Sequence, residues 1–589
     1  MNRNSFYRII LVIVSAIIIL SCSGRTGEKI VILGTTDIHG VIFPYDYIEK
    51  KNLNASLASI SSYVKEVRKK EQVILLDNGD NLQGQPCVYY YNYIDTLSSH
   101  LNSLVMNYLK YDAGTVGNHD IEAGHAVYDR LRKEYRFPLL AANAVKTSDG
   151  KPYFEPFTII EKNGLKVAIL GLITPSVPEW LPPVLYSGIE FNDMVKTAEK
   201  WMPVILEQKP DIVIGLFHSG YNMQEEQKSG NLSTDENSTA SVAFNVRGFD
   251  IIFAGHDHNV ACEKIINKWG DSVLILNAGS RAEKIARADI EISNRGKKKT
   301  RKISISGSLI DVCNFEPDKD FINQFSSFDS VIKSFTEEVI GESTSTISSR
   351  DAFFGPSAFV DMIHSFQLEI TGADISFAAP LSFDVSIEKG PVTVGDMFKL
   401  YRYENMLYTM ELKGYEIVKY LEYSYSGWLN TMKGPEDHLL SFRSDENGKL
   451  LITGGRAWLK NQAYNFDSAA GIEYIVDASK PAGERIKIIS FADGRPFSND
   501  GKYLVALNSY RGSGGGGHLT RGVSLSKEEL AGRLKYSTVR DLRYYIMESI
   551  RKKRVINPEP FTRWKIVPED WVKRAREKDY RLLFRDNKR

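Results

Sequence analysis

Five times in the first half of this chain an apolar run passes into a short polar segment carrying glycine together with acid or histidine. No other feature restricts the fold as much. Ile30-Val31-Ile32-Leu33 leads to Asp37-Ile38-His39-Gly40, and Val73-Ile74-Leu75-Leu76 leads to Asp77-Asn78-Gly79-Asp80. The mildly apolar stretch 111–116 leads to Gly117-Asn118-His119-Asp120. Ile212-Val213-Ile214-Gly215-Leu216-Phe217 leads to His218-Ser219-Gly220, and Ile251-Ile252-Phe253-Ala254 to Gly255-His256-Asp257-His258. Runs of this kind read as strands covered on both faces, and open α/β sheets place their sites at the carboxyl ends of such strands. Only ten histidines occur in 589 residues, and five of them (His39, His119, His218, His256 and His258) stand at these exits. His100, His125, His364, His438 and His518 lack such settings and read as ordinary structural residues.

The residue types at the exits suit a metal-assisted reaction. Side chains two apart in an extended segment point the same way, so Asp37 and His39 can grip one cation; His256 and His258 are again two apart. Asp80 has two carboxylate oxygens and can join two cations. Asn118 offers a neutral oxygen, His119 a proton shuttle, and Asp120 a carboxylate to hold that imidazole. Taken alone, each tetrad reads equally well as a turn, since Gly, Asn and Asp are turn formers.

In order along the chain, the blocks Asp37-Ile38-His39, Gly79-Asp80-Asn81-Leu82-Gln83-Gly84, Gly117-Asn118-His119-Asp120, His218-Ser219-Gly220 and Gly255-His256-Asp257-His258 resemble those of the calcineurin-like metallophosphoesterases. The resemblance implies an α/β fold, a four-layer α/β/β/α sandwich, and two divalent ions. Asp37, His39 and His258 would hold one ion, Asn118, His218 and His256 the other, with Asp80 bridging. His119 would be catalytic without binding metal, oriented by Asp120. Paired divalent ions stabilise both ends of an in-line displacement and activate a water. Mixed His, Asp and Asn donors suit zinc, manganese, iron or cobalt better than calcium or magnesium.

The flanks bound the biology. Residues 1–22 carry Arg3 and Arg8, an apolar run over 9–20 and Ile19-Leu20-Ser21-Cys22, which reads as a signal peptide whose end resembles a lipobox. The expected protein is exported and anchored by lipid on Cys22, periplasmic or at the envelope surface; a plain secretory signal is the other reading. Lys and Arg total 74 against 73 Asp and Glu, which argues against a polyanionic polymer as the main partner. Beyond Cys22 only Cys87, Cys262 and Cys313 remain, enough for at most one disulfide.

The expected organisation is a metallophosphoesterase domain over 28–315, a linker helix over 316–340 where apolar residues approximate helical spacing, a second domain over 341–550, and an extension over 551–589 with no assigned role. Two stretches of the second half set tyrosine beside small or polar residues, Tyr401-Arg402-Tyr403-Glu404-Asn405 and Asn508-Ser509-Tyr510-Arg511-Gly512 with the glycines after it. They read either as surfaces on which a base stacks or as a flexible glycine loop with core tyrosines. This half resembles the C-terminal α+β nucleotide-binding domain of the exported 5′-nucleotidase family, most nearly its 2′,3′-cyclic-nucleotide 2′-phosphodiesterase/3′-nucleotidase branch. That resemblance implies a nucleotide substrate, with Tyr403, Asn405 and Tyr510 in the substrate site and the two rings sandwiching the base. A 5′-nucleotidase or nucleotide-sugar diphosphatase is the alternative, and a non-catalytic nucleotide-binding protein a further one.

Overall fold

A computed structural model describes residues 28–221, 236–295 and 300–584; the expected signal peptide and Cys22 lie outside them. The first half is built on two six-stranded sheets. At the centre of one are β1 (Glu28–Thr35), β2 (Gln72–Asp77) and β3 (Ala113–Thr115), all mutually parallel. The other is centred on β4 (Leu165–Ile173), β5 (Ile212–His218), β6 (Ile251–Ala254) and β7 (Ser272–Ala278), again parallel.

Alternation along each strand assigns the layers. Ile30 and Ile32 of β1 meet Ile212, Ile214 and Leu216 of β5 in the core between the sheets. Val31 and Leu33 point the other way, into a core shared with the helices Leu57–Arg68 and Leu101–Leu109. Val213 and Phe217 face the outer helices Met194–Glu207 and Thr239–Asn245. Each central strand is therefore apolar on both faces, which is why the runs are continuous rather than alternating. The result is the expected four-layer α/β/β/α sandwich, and the parallel strands deliver their carboxyl ends to one rim.

The helix Lys319–Glu337 has Asp318 as its N-cap, the carboxylate accepting from Asp320 N, and its Phe321, Phe325 and Ile332 sit in the first domain's core. Near its end, Phe335 packs against a core of the second half. There a five-stranded sheet runs in the order Ser468–Ala470, Ile375–Ala378, Lys502–Asn508, Met406–Lys413, Leu534–Asp541. The helix Gly414–Trp428 covers one face; Ala358–Thr371, Val394–Leu400 and Leu542–Lys553 cover the other.

The tail is part of this second body. Arg563–Val567 adds a parallel strand beside Ile472–Asp477, and Trp564 stacks on Tyr474 with ring centroids 5.8 Å apart. On the helix Glu569–Leu583, the fully buried Asp579 accepts from the backbone N–H of Leu439 (2.8 Å) and Leu440 (3.0 Å). Cys87, Cys262 and Cys313 are all unpaired.

Candidate active site

The strand exits converge through their backbones first. Asp37 N donates to Gly79 O (2.9 Å), His39 N to Asp80 O (3.0 Å), and the Asn78 amide to Phe217 O (2.9 Å), tying the two sheets together at the rim. Turning side chains inward here demands the left-handed backbone: φ is +50° at Asp37 and His39, +58° at Asp80, +73° at His256 and +57° at His258. Each such non-glycine residue costs on the order of 1–3 kcal/mol, and strain of this kind concentrates at functional sites. The rim also needs glycine where chains touch. A Cβ on Gly117 would collide with Asp80 Oδ1, and one on Gly255 with Thr36 Oγ1.

Two groups of donors result. Asp37, His39 and His258 present ligand atoms within 4.8 Å of one another, and so do Asp80, His218 and His256. His39 Nδ1 faces Gln83 O at 3.0 Å and His218 Nδ1 faces Asn78 O at 2.6 Å, which assigns the proton of each ring to Nδ1. Both Nε2 lone pairs then aim into the rim. His39 Nε2 lies 3.0 Å from His258 Nε2; His218 Nε2 lies 3.2 Å from both Asn118 Oδ1 and Asp80 Oδ2. His256 Nδ1 is 2.8 Å from the same Asn118 oxygen. Acceptors converging on acceptors need a positive charge among them, and this donor set fits divalent cations. Burial opposes charge on His218, but Asp80 outweighs it and carries its pKa to about 10, a proton standing where a cation would sit. At His39 burial prevails and brings the pKa down to about 4. Asp80 is held well below the usual carboxylate range, against its burial, by His218 and His119.

One expectation is corrected. Asp120 does not orient His119: its carboxylate accepts backbone N–H groups from Asp80 (2.8 Å), Gly117 (2.8 Å), Asn81 (2.9 Å) and Leu82 (3.2 Å), and so shapes the loops. Burial, with Asp80 nearby, raises its pKa to about 6. The partner of His119 is Glu122, whose Oε2 lies 2.5 Å from Nδ1. The reason is helical: Asn118–Glu122 forms one turn, and residue i+3 shares a face with residue i where i+1 does not. Burial disfavours the His119 cation, yet Asp80 and Glu122 lift its pKa to about 10.

The second half faces this rim. Tyr403 and Tyr510 are half-buried and Asn405 is buried. Tyr464, which no motif marked, stands edge-on to Tyr403 at 6.1 Å and 81°. Burial raises the Tyr510 hydroxyl to about 12, with a contribution from Glu236, and Glu236 acts on Tyr464 too. Glu236 is itself a rim residue, its Oε1 3.0 Å from His256 Nε2, while Trp180 stacks on the His256 ring at 5.3 Å. Neither Glu236, in a polar stretch, nor Trp180 carries a pattern that marks it beforehand.

Two family models match: calcineurin-like phosphoesterase over residues 30–260, and the 5′-nucleotidase C-terminal domain over residues 339–521. The chain joins a calcineurin-like phosphoesterase domain to a 5′-nucleotidase C-terminal domain. Such a chain is a metal-dependent hydrolase of nucleotidase and phosphodiesterase type. It is 24% identical to the 2′,3′-cyclic-nucleotide 2′-phosphodiesterase/3′-nucleotidase of Haemophilus influenzae, the match covering 96% of this chain and 92% of that one. It is 27% identical to the trifunctional nucleotide phosphoesterase protein YfkN of Bacillus subtilis over 91% of this chain, spanning 39% of that relative's length. Among solved structures, the 5′-nucleotidase precursor from Thermus thermophilus superposes with a TM-score of 0.60 at 21% identity, covering 92% of this chain and all of that one. The sulfate thiohydrolase SoxB of Thermus thermophilus reaches 0.55 at 15% identity, with 92% and 98% covered, so this fold does not by itself fix the substrate.

Proposed function

We propose that this phosphoesterase opens 2′,3′-cyclic nucleotides and removes the resulting 3′-phosphate at the rim of the first domain, with the nucleoside held by the second. The observation that carries the reading is the pair of converging donor groups, Asp37/His39/His258 and Asp80/His218/His256, with Asn118 beside the latter. These residues would hold two divalent cations. When bound, the cations supply Lewis-acid stabilisation of the phosphoryl oxygens and a water acidic enough to attack near neutral pH.

The remaining work falls to the chain. Glu122 holds Nδ1 of His119, leaving Nε2 to donate to the oxygen that departs, and the ring stands 5.5 Å from that of His39. Tyr403 and Tyr510 supply faces for the base and Asn405 a hydrogen-bonding amide, worth roughly 1–3 kcal/mol per stacked ring. The choice of the cyclic and 3′ substrates follows relatives that bear that name over most of both chains. Export, with a lipid on Cys22, would set the enzyme to scavenging nucleotides outside the cytoplasm; no described helix is long and apolar enough to cross a membrane.

The test is release of phosphate and nucleoside from 2′,3′-cyclic AMP, 3′-AMP, 5′-AMP and a nucleotide sugar by metal-loaded protein, beside Asp80→Asn. Turnover of the first two, lost in the variant, supports the reading. Preference for 5′-AMP or the nucleotide sugar moves the protein to the 5′-nucleotidase or diphosphatase reading, and no turnover of any leaves a binding protein.

A further inference from the structure

A buried arginine lies where the two halves meet, and the reaction proposed above makes no use of it. Arg543, at the start of the helix Leu542–Lys553, is wholly inaccessible. Its guanidinium donates to Tyr401 O (2.7 Å), Arg402 O (2.6 Å) and Glu404 Oε1 (2.9 Å), and so grips three of the five residues in the 401–405 loop. A fourth hold comes from the helix backbone, Leu542 N donating to Asn405 O at 2.8 Å. Tyr403 is the one residue of the loop that these bonds leave out.

The same arginine reaches the first domain. Its guanidinium lies over the ring of Tyr89 at 4.9 Å and over Phe398 at 3.9 Å. Tyr89, 1% exposed, donates its hydroxyl to Asp541 Oδ2 at 3.1 Å, and Arg540 donates to Tyr93 O at 2.7 Å. Tyr89 and Tyr93 follow directly on the Asp80 block, in the turns Pro86–Tyr89 and Tyr90–Ile94. One chain of contacts thus runs from the Asp80 loop through Tyr89 and Arg543 to the backbone that presents Tyr403 and Asn405.

We propose that Arg543 is a positioning residue that fixes the Tyr403–Asn405 loop relative to the metal rim, and that nucleotide recognition depends on it while phosphoester cleavage does not. A planar fork with donors in three directions does this and an ammonium cannot, because lysine has no fixed geometry for two carbonyls and a carboxylate at once. Glu404 sharpens the requirement. Its Oε2 is buried with no hydrogen-bond partner among the described residues, so Arg543 is its one neutralising contact there.

The inference rests on the reading of Tyr403 and Asn405 as nucleotide-binding, and the experiment separates the two. Wild type, Arg543→Lys and Tyr89→Phe are assayed on the nucleotide that wild type turns over and on 4-nitrophenyl phosphate and bis(4-nitrophenyl) phosphate, which carry no nucleoside. Amide hydrogen exchange of residues 401–407 is followed in all three. Arg543→Lys should raise KM for the nucleotide about tenfold with kcat within threefold, leave the nitrophenyl esters within twofold, and speed exchange of the loop at least tenfold. Tyr89→Phe, which keeps the ring and loses one hydroxyl, should raise KM about threefold. Equal losses on nucleotide and nitrophenyl esters, or an unchanged KM in both variants, overturn the proposal. If wild type cleaves the nitrophenyl esters and no nucleotide, the functional reading falls, and loop exchange decides alone: unchanged exchange in Arg543→Lys overturns the positioning role, faster exchange upholds it.

Discussion

The rim of the first domain and the tyrosine loops of the second are both polar and largely buried, yet they are held in opposite ways. At the rim, acceptors face acceptors: His39 against His258, and His218 against Asn118 and Asp80. In the second half the buried arginines behind the tyrosine loops are paired with carboxylates, Arg511 with Asp467 and Arg543 with Glu404. Arg511 spends its donors on Asp467 (3.0 Å to each oxygen), Asn465 Oδ1 (3.1 Å), Gly515 O (2.9 Å) and Tyr464 O (2.7 Å). A site where ligand atoms of His, Asp and Asn converge suits a ligand that brings positive charge, whereas carboxylates held by guanidinium groups keep walls still.

That difference can be broken from either side. Asp80→Asn removes the carboxylate of the Asp80/His218/His256 group; kcat should fall about 10³-fold or more, with bound metal reduced, as read by turnover and elemental analysis. Unchanged turnover would mean that the rim is not the reaction centre. Arg511→Met acts on the other region, stranding Asp467 in the core. It should cost about 3–5 kcal/mol in urea unfolding while leaving the metal content of the folded protein as in wild type. A drop in metal content would show that the two regions are one unit.

Within the rim, the two acids after His119 can be told apart. Glu122→Gln should lower kcat by about 10²-fold with little loss of stability, since it weakens only the hold on the imidazole. Asp120→Asn should instead loosen the loop that accepts its four backbone bonds, seen as faster hydrogen exchange at Gly117 and residues 80–82. The reverse pattern would restore Asp120 as the orienting group.

These regions also differ in how far the bare sequence discloses them. Cation chemistry admits few residue types, and strands buried on both faces fix where those residues emerge, so the sandwich and the Asp and His residues at its strand exits are legible in the sequence, while the full set with Asn118 rests on the resemblance. The structure brings Asp37, His39 and His258 together, and Asp80, His218 and His256, with Asn118 beside the latter. Glu122 was missed because the choice between residues 120 and 122 depends on the single helical turn after Asn118, which the adjacent acid obscured. Glu236 and Trp180 come to the rim from loops whose local pattern says nothing of their destination. In the second half, tyrosine is too common to mark a wall, and the bonds that hold the backbone of Tyr464 and of the 401–405 loop come from Arg511 and Arg543, 47 and 141 or more residues along the chain. The tail shows the same limit: nothing in the sequence around Asp579 marks it, yet it accepts from two backbone N–H groups 140 and 139 residues away.

A smaller effect tests the walls themselves. Tyr403→Ala and Tyr510→Ala should each raise KM for a nucleotide by roughly 5- to 100-fold, as expected for loss of one base-stacking face, with 4-nitrophenyl phosphate hardly affected. If only Tyr464→Ala shows this behaviour, the pair of faces has been assigned to the wrong rings.

The smallest expected effect concerns histidines of the second half, which contrast with those of the rim. His364 is fully buried between Ser376 Oγ (2.9 Å) and Ser468 Oγ (3.1 Å), and burial lowers its pKa to about 3; His518, buried against Asn465 O, is likewise brought to about 3. With an unfolded value near 6.5, the unfolded chain binds more protons than the folded one between those limits. The stability that each neutral ring carries is therefore present above about pH 6.5 and lost as pH falls toward 3. Between pH 7.5 and 5.5 each should cost about 1 kcal/mol. His364→Asn keeps a polar side chain without the titration, so whatever its stability at pH 7.5, its loss down to pH 5.5 should be smaller than wild type's by about that amount in urea unfolding. Parallel pH curves for variant and wild type would mean that His364 takes up its proton in the folded protein, and the division between a rim awaiting charge and a second half closed to it would fail at that residue.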